Sequence, residues 1–164
     1  MSAADLDRAA LIFARTRWHA PGAERAVAAF SRLGEHGACW VALGLGGSIL
    51  DRDPQRRRTW RRAAETVVIA YATNQAIKLL VRRRRPELPG LAPLTPVVTE
   101  LSFPSAHATT SFAAARAFTG LAPACALYAT AAAFAASRPY LGVHYPTDVL
   151  AGALLGPAVA GLRR

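Results

Sequence analysis

Cysteine is nearly absent. The chain has two, Cys39 and Cys125, each inside an apolar stretch with no second Cys or His at ligand spacing. That excludes a disulfide scaffold and a cysteine metal site, and reads both as small buried hydrophobes. Acidic residues are scarce as well: ten Asp and Glu stand against twenty Lys and Arg, for a net charge of +10. No Asp/Glu cluster offers oxygen ligands for Mg²⁺, so no metal or other cofactor is expected. Lysine is reduced to Lys78, so nineteen of the twenty basic residues are arginine. A lone lysine in such a chain suggests a position that needs an ammonium. Glycine is aperiodic and no repeat recurs, which excludes collagen and solenoids. Charge is low overall, 18% against the ~25% usual in soluble domains.

What is present is apolar: 52% of the 164 residues are hydrophobic. Disorder is excluded, and the length fits one domain, 1–164. The basic excess first suggests nucleic acid. Its distribution argues otherwise, because the arginines are clumped between long Ala/Leu/Val runs almost free of charge. That pattern is expected of a small polytopic membrane protein that binds no nucleic acid, placed as a multi-pass protein in the cell membrane. Its oligomeric state is open.

Residues 1–22 hold an amphipathic segment. Over 3–17, Leu6, Ala10, Phe13 and Ala14 share one helical face, as in a helix lying in a membrane interface. Asp5 and Asp7 and the lack of a continuous apolar core exclude a secretory signal. Five membrane-length helices are expected to follow, near 27–50, 63–81, 105–119, 122–137 and 147–162. Loops are expected at 51–62, 86–104 and 138–146. The fold class is therefore an all-α helical bundle.

Three segments hold nearly all the polar residues that an apolar bundle does not explain. They are Lys78 to Arg85-Pro86, Pro104-Ser105-Ala106-His107, and Ser137-Arg138 to His144 and Asp148. Counting helices brings all three to the same rim of the bundle. Lys78, Arg85 and Arg138 are suited to neutralise a phosphoryl group. Ser105 and the first amides of the helix after it favour an anion. His144 and Asp148 are four apart, so a carboxylate can hold one ring nitrogen and leave the other as nucleophile. His107 is placed to protonate a leaving oxygen.

Lys-x6-Arg-Pro, Pro-Ser-x-His and Ser-Arg-x5-His-x3-Asp, in this order, resemble the three signatures of the type 2 phosphatidic acid phosphatase (PAP2) superfamily. That superfamily also includes bacterial acid phosphatases and vanadium haloperoxidases. The resemblance covers about residues 63–162. It implies that Lys78, Arg85, Ser105, Ala106 and Arg138 bind phosphate. It further implies that His144 forms a phosphohistidine, Asp148 orients it and His107 protonates the leaving group. Ala106 stands where the second signature usually has Gly; at a helix start its N–H remains available. Gly34-Glu35-His36, Leu101 to Thr109 and Leu141 to Pro146 narrow the resemblance to phosphatases of polyprenyl-linked phosphosugars. The substrate implied is a lipid phosphate, with phosphatidylglycerophosphate, phosphatidic acid and undecaprenyl pyrophosphate as alternatives to the phosphosugar lipid, and the partner is the bilayer. The remote alternative is a non-enzymatic membrane protein whose arginine clusters bind anionic lipid.

Outside the signatures the expectations are plainer. Glu35 and His36 line the pocket or pack at a helix end. His19 is structural, Arg82, Arg83 and Arg84 anchor the helix end, and Trp18, Trp40 and Trp60 serve as interface anchors or packing. Arginines divide almost evenly between the two rims, so charge assigns no orientation.

Overall fold

The computed structural model describes residues 2–163. Seven α-helices follow one another: α1 (Ala3–Thr16), α2 (Pro21–Leu33), α3 (Ala38–Leu50), α4 (Pro54–Val81), α5 (Ala106–Ala117), α6 (Ala124–Tyr140) and α7 (Pro146–Gly161). Among the described residues there is no strand, only two isolated bridges, Arg84 with Leu101 and Thr119 with Ala122. The all-α expectation holds.

Local chemistry sets the helix ends. Ser2 caps α1, its hydroxyl accepting from the Asp5 amide while the Asp5 carboxylate accepts from the Ser2 amide. Pro21 and Pro54 open α2 and α4 at the position where a missing N–H costs nothing. Asp53 caps α4 by accepting from the Gln55 amide at 2.8 Å.

Four expectations are corrected. The loop expected over 51–62 is only three residues long, because Asp53 and Pro54 start α4 there. The span expected over 27–50 is broken between α2 and α3 by a 3₁₀ turn, Glu35–Gly37. Its backbone turns left-handed at His36 (φ 54°) and Gly37 (φ 74°). A Cβ on Gly37 would press on Val67 and Thr110, so only glycine fits there. The loop expected from 138 begins only after Tyr140, since α6 continues through Arg138 and Pro139. Finally, no helix among the described residues is long and apolar enough to cross a membrane. α3, α5, α6 and α7 have 13, 12, 17 and 16 residues against the ~20 a crossing takes, and α4, with 28, carries charge at both ends.

α5 is the buried axis. His107 to Ser111 and Ala113 to Ala115 are all buried, which its run of small side chains permits. α7 lies close along it: a Cβ on Gly152 would sit 2.6 Å from the Ser105 carbonyl oxygen. The core beside it joins Trp40, Trp60, Val67, Phe118, Leu127 and Phe134. Trp40 and Trp60 are thus packing residues, whereas Trp18 is exposed. Cys39 is half-buried. Cys125 is exposed, which corrects the buried reading: it sits in the first turn of α6, on the side away from the buried Leu127. His19 is structural, stacked on Tyr140 and bonded to Glu24 and the Ala14 carbonyl.

Hydrogen bonds from two side chains fix α5 against its neighbours. The buried Asn74 of α4 donates to the Pro104 carbonyl and to Thr109 Oγ1. Trp40 of α3 donates to Ser111 Oγ at 2.9 Å. Large aliphatic side chains remain outside, among them Leu43, Ile49 and Leu50 of α3, Leu79 and Leu80 of α4, and Leu150 and Leu154 of α7.

Candidate active site

The three polar segments meet at one end of the bundle. Lys78 ends α4, buried, and donates to the Leu101 carbonyl at 3.0 Å. Beyond α4 the chain runs extended and pairs with residues 100–102: the Arg85 amide donates to Glu100 O and the Ser102 amide to Arg83 O. Side chains alternate along an extended segment, so Arg83 and Arg85 turn inward while Arg82 and Arg84 are exposed. Arg85 is clamped by the Thr99 carbonyl at 2.6 Å and the Val143 carbonyl at 2.8 Å.

Arg85 also determines the state of His144. Its Nη1 lies 3.2 Å from His144 Nε2. A guanidinium only donates, so Nε2 accepts with its lone pair and the ring proton sits on Nδ1. Nδ1 faces Asp148 Oδ2 at 3.5 Å, long for a hydrogen bond, and has no other partner. Burial pushes the His144 imidazole well below its usual range, and the charges of Arg85, Arg138 and Lys78 push it further. At neutral pH it is therefore an uncharged ring with a free Nε2 lone pair.

His107, one residue into α5, is held by its Nε2 at 3.0 Å from the Ser31 carbonyl. A carbonyl only accepts, so Nε2 carries the proton and Nδ1 is the nitrogen left to exchange one. Arg138, in the last turn of α6, donates from Nη1 to Ser31 Oγ at 2.5 Å, and its buried Nε has no partner. Ser105 caps α5 in position only. Its backbone N–H donates to the Asp148 carbonyl at 2.9 Å, which ties the second segment to the third. Its buried hydroxyl is unpartnered. An unpaired guanidinium N–H and an unpaired hydroxyl in a buried cationic site are groups an anion would satisfy. Ala106 has no positive φ and lines the pocket, so the departure from Gly is tolerated.

One pocket is lined by Lys78, Arg85, Ala106, His107, Arg138 and His144, together with Glu35, His36, Tyr71, Gln75 and the loop Pro96 to Thr99. Ser105 and Asp148 are fully buried and are not among the lining residues. Two contributors, Tyr71 and Ser31, are unread in the sequence, and Gln75 is legible there only as a polar residue of its helix that must face protein or water. Tyr71 and Gln75 stand seven and three residues before Lys78, on its own face of α4, a legible spacing that no motif flagged. Tyr71 holds the left-handed His36 through a 2.8 Å bond to Nδ1. Ser31 carries no signal at all, since a serine late in an amphipathic helix is unremarkable. Arg83, expected as an anchor, instead bonds Asp148 Oδ1 at 2.8 Å.

The chain resembles several known proteins. A decaprenylphosphoryl-5-phosphoribose phosphatase of Mycolicibacterium smegmatis is 44% identical over 134 residues, 80% of this chain and 72% of that one. The protein of that name from Mycobacterium tuberculosis is 41% identical over 145 residues, 87% and 79% of the two chains. Among solved structures, Aquifex aeolicus LpxE superposes with a TM-score of 0.81 at 21% identity, covering 96% and 94%. The transmembrane PAP2 type phosphatidylglycerolphosphate phosphatase of Bacillus subtilis gives 0.69 at 24% identity, covering 98% and 87%. A bacterial vanadium-dependent iodoperoxidase gives 0.79 at 16%, covering 99% of this chain and 49% of its own. The last three show a common fold. The model of the PAP2 superfamily matches residues 60–163, which include all three polar segments, and the chain belongs to that superfamily.

Proposed function

We propose that this chain is a membrane lipid phosphatase that removes the 5-phosphate from a polyprenylphosphoryl-phosphoribose, through a phosphohistidine on His144. The observation that carries the chemistry is His144 Nε2 set 3.2 Å from Arg85 Nη1, in a pocket that Lys78 and Arg138 also line. Lys78, Arg85 and Arg138 hold the phosphoryl oxygens, with the Ser105 hydroxyl and the Ala106 N–H at the head of α5. His144 Nε2 attacks phosphorus. The N–P bond forms, the P–O bond to the sugar carbon breaks, and protonated His107 gives its Nδ1 proton to the leaving oxygen. Water then attacks the phosphohistidine while His107 takes its proton. Inorganic phosphate leaves and His144 returns neutral. Asp148, across from Nδ1, offsets the positive charge that develops on the His144 ring as Nε2 bonds phosphorus.

The substrate class rests on the named relatives and on the uncharged and acidic polar residues that line the pocket beside the cations. Glu35, His36, Tyr71 and Gln75 supply donors and acceptors suited to sugar hydroxyls, where an acyl glycerol phosphate would need few. His36 sits in a backbone conformation costly for any residue but glycine, and such strain gathers at ligand sites. Membrane placement is supported by the aliphatic side chains exposed on α3, α4 and α7, which stable monomers in water rarely gather. The helices then sit as a bundle in the cell membrane, with the polar rim at the headgroup level.

Phosphate release from detergent-purified protein, with EDTA present, tests the reading. The panel is decaprenylphosphoryl-phosphoribose, phosphatidylglycerophosphate, phosphatidic acid and undecaprenyl pyrophosphate, with His144→Ala as blank. Preference for the phosphoribose lipid supports the full proposal. A flat profile lost in His144→Ala keeps the mechanism and removes the substrate. EDTA sensitivity overturns the mechanism.

A further inference from the structure

α1 is amphipathic in an unusual sense: its charged stripe faces the protein. Asp7, Leu11 and Arg15, four residues apart, are buried at 5%, 0% and 6% exposure. Leu6 and Phe13, on the apolar face, are each 52% exposed. Polar contacts therefore seat the helix on the rim. Arg15 donates to the Ala92 carbonyl at 2.9 Å. Asp7 does more. Its Oδ1 accepts from the Thr147 backbone amide at 3.0 Å, and its Oδ2 accepts from the Thr147 hydroxyl. Thr147 lies in the first turn of α7, a helix whose N-cap residue makes no side-chain cap bond. Asp7 thus caps α7 from another helix, with its charge at the favourable end of the dipole.

Arg83 joins this cap to the catalytic carboxylate. One guanidinium nitrogen donates to Asp7 Oδ2 at 2.7 Å, and the other donates to Asp148 Oδ1 and Thr147 Oγ1, both at 2.8 Å. The plane lies over the Tyr145 ring, 4.1 Å from its centroid. Asp148 Oδ2 accepts from the Tyr145 amide at 2.9 Å and faces His144. The two carboxylate oxygens are therefore divided: Oδ1 is held by Arg83 and Oδ2 is aimed at the nucleophile.

We propose that Asp7 and Arg83 are positioning residues for hydrolysis: α1 is the outer half of a brace, Asp7–Arg83–Asp148, that fixes the carboxylate behind His144. Neither side chain lines the pocket, so both act on turnover and not on substrate capture. A fork donor bridges the two carboxylates, and a lysine at 83 restores only one of the bonds. The inference rests on the phosphatase reading above.

The test is a double-mutant cycle on the full chain in detergent, using the panel substrate the wild type cleaves fastest. Arg83→Gln should lower kcat about 10–100-fold with KM nearly unchanged, the scale of lost orienting partners. Asp7→Asn, which keeps its shape, should lower kcat less. Arg83→Lys should recover part of the loss. In an Asp148→Asn background, Arg83→Gln should change kcat less than about twofold, because the residue it orients is already neutral. Equal losses in both backgrounds, or a loss carried by KM, overturn the inference while leaving the phosphatase reading intact. Should Arg83→Gln fail to fold, Asp7→Asn in the same two backgrounds decides the question alone. A wild type that cleaves no member of the panel overturns both.

Discussion

Two arginine runs of similar composition meet opposite fates. Arg56, Arg57, Arg58, Arg61 and Arg62 lie on the first turns of α4, all exposed. Arg56 pairs with Asp51 at 2.9 Å, Arg57 donates to the Ser48 carbonyl, and Arg61 lies 3.7 Å from Glu65. Arg82 to Arg85 follow the other end of the same helix. There the chain turns left-handed at Arg82 and then runs extended, so Arg83 and Arg85 turn inward, one to Asp148 and one to His144. A helix spreads its side chains around an axis, and an extended segment sorts them onto two sides. Backbone conformation, more than residue type, made one run a solvated surface and turned half of the other toward the candidate site.

That contrast breaks most sharply at the residue the inner run serves. His144→Ala should lower kcat by more than about 10³-fold, with the folded protein retained, as checked by phosphate release and size exclusion. Next come the two ends of α4. Arg85→Gln should cost about 10²–10³-fold in kcat/KM, the scale of losing one donor to developing charge. Arg57→Gln should leave activity within about twofold.

His107→Ala sharpens the division of labour. Its loss should be large on alkyl phosphates and much smaller on p-nitrophenyl phosphate, whose leaving group needs no proton. The pH profile separates the runs again. His144 is pushed below the ordinary imidazole range, so the acid limb of kcat/KM should lie below about pH 6.5. Removing the Arg85 charge makes protonation of His144 easier, so Arg85→Gln should move that limb upward in pH. Arg57→Gln should not move it. Smallest of all, Arg56→Ala removes an exposed ion pair and should change stability by less than about 1 kcal/mol in thermal unfolding.

Most of the candidate site could be read along the chain because its residues are local. His144 and Asp148 are one helical turn apart, and Ser105 and His107 surround a helix start. Lys78, Arg85 and Arg138 stand at fixed distances from helix ends. The helix boundaries were readable where caps mark them, as at Ser105 and Pro146. They were misread over 54–62, where a string of arginines resembles a loop yet makes good helix once Asp53 caps it. The break at 34–37 was hidden because its cause is remote. Gly37 must be glycine for the sake of Val67 and Thr110, which only packing brings near. Crossing lengths were overestimated for the same reason, since apolar runs continue past the ends of the short helices.

By itself the sequence determined the family and the candidate residues for its chemistry. Residue types at motif spacing state which groups donate, accept and carry charge, and helix counting brings them to one rim. Tertiary structure alone decided how each actor is held. It gave His144 its tautomer through Arg85 and His107 its fixed nitrogen through Ser31. It also gave Asp148 its brace through Arg83 and Asp7, 141 residues away along the chain. Hydrogen bonds between groups far apart in sequence depend on which faces the packed helices present, and no local pattern records that.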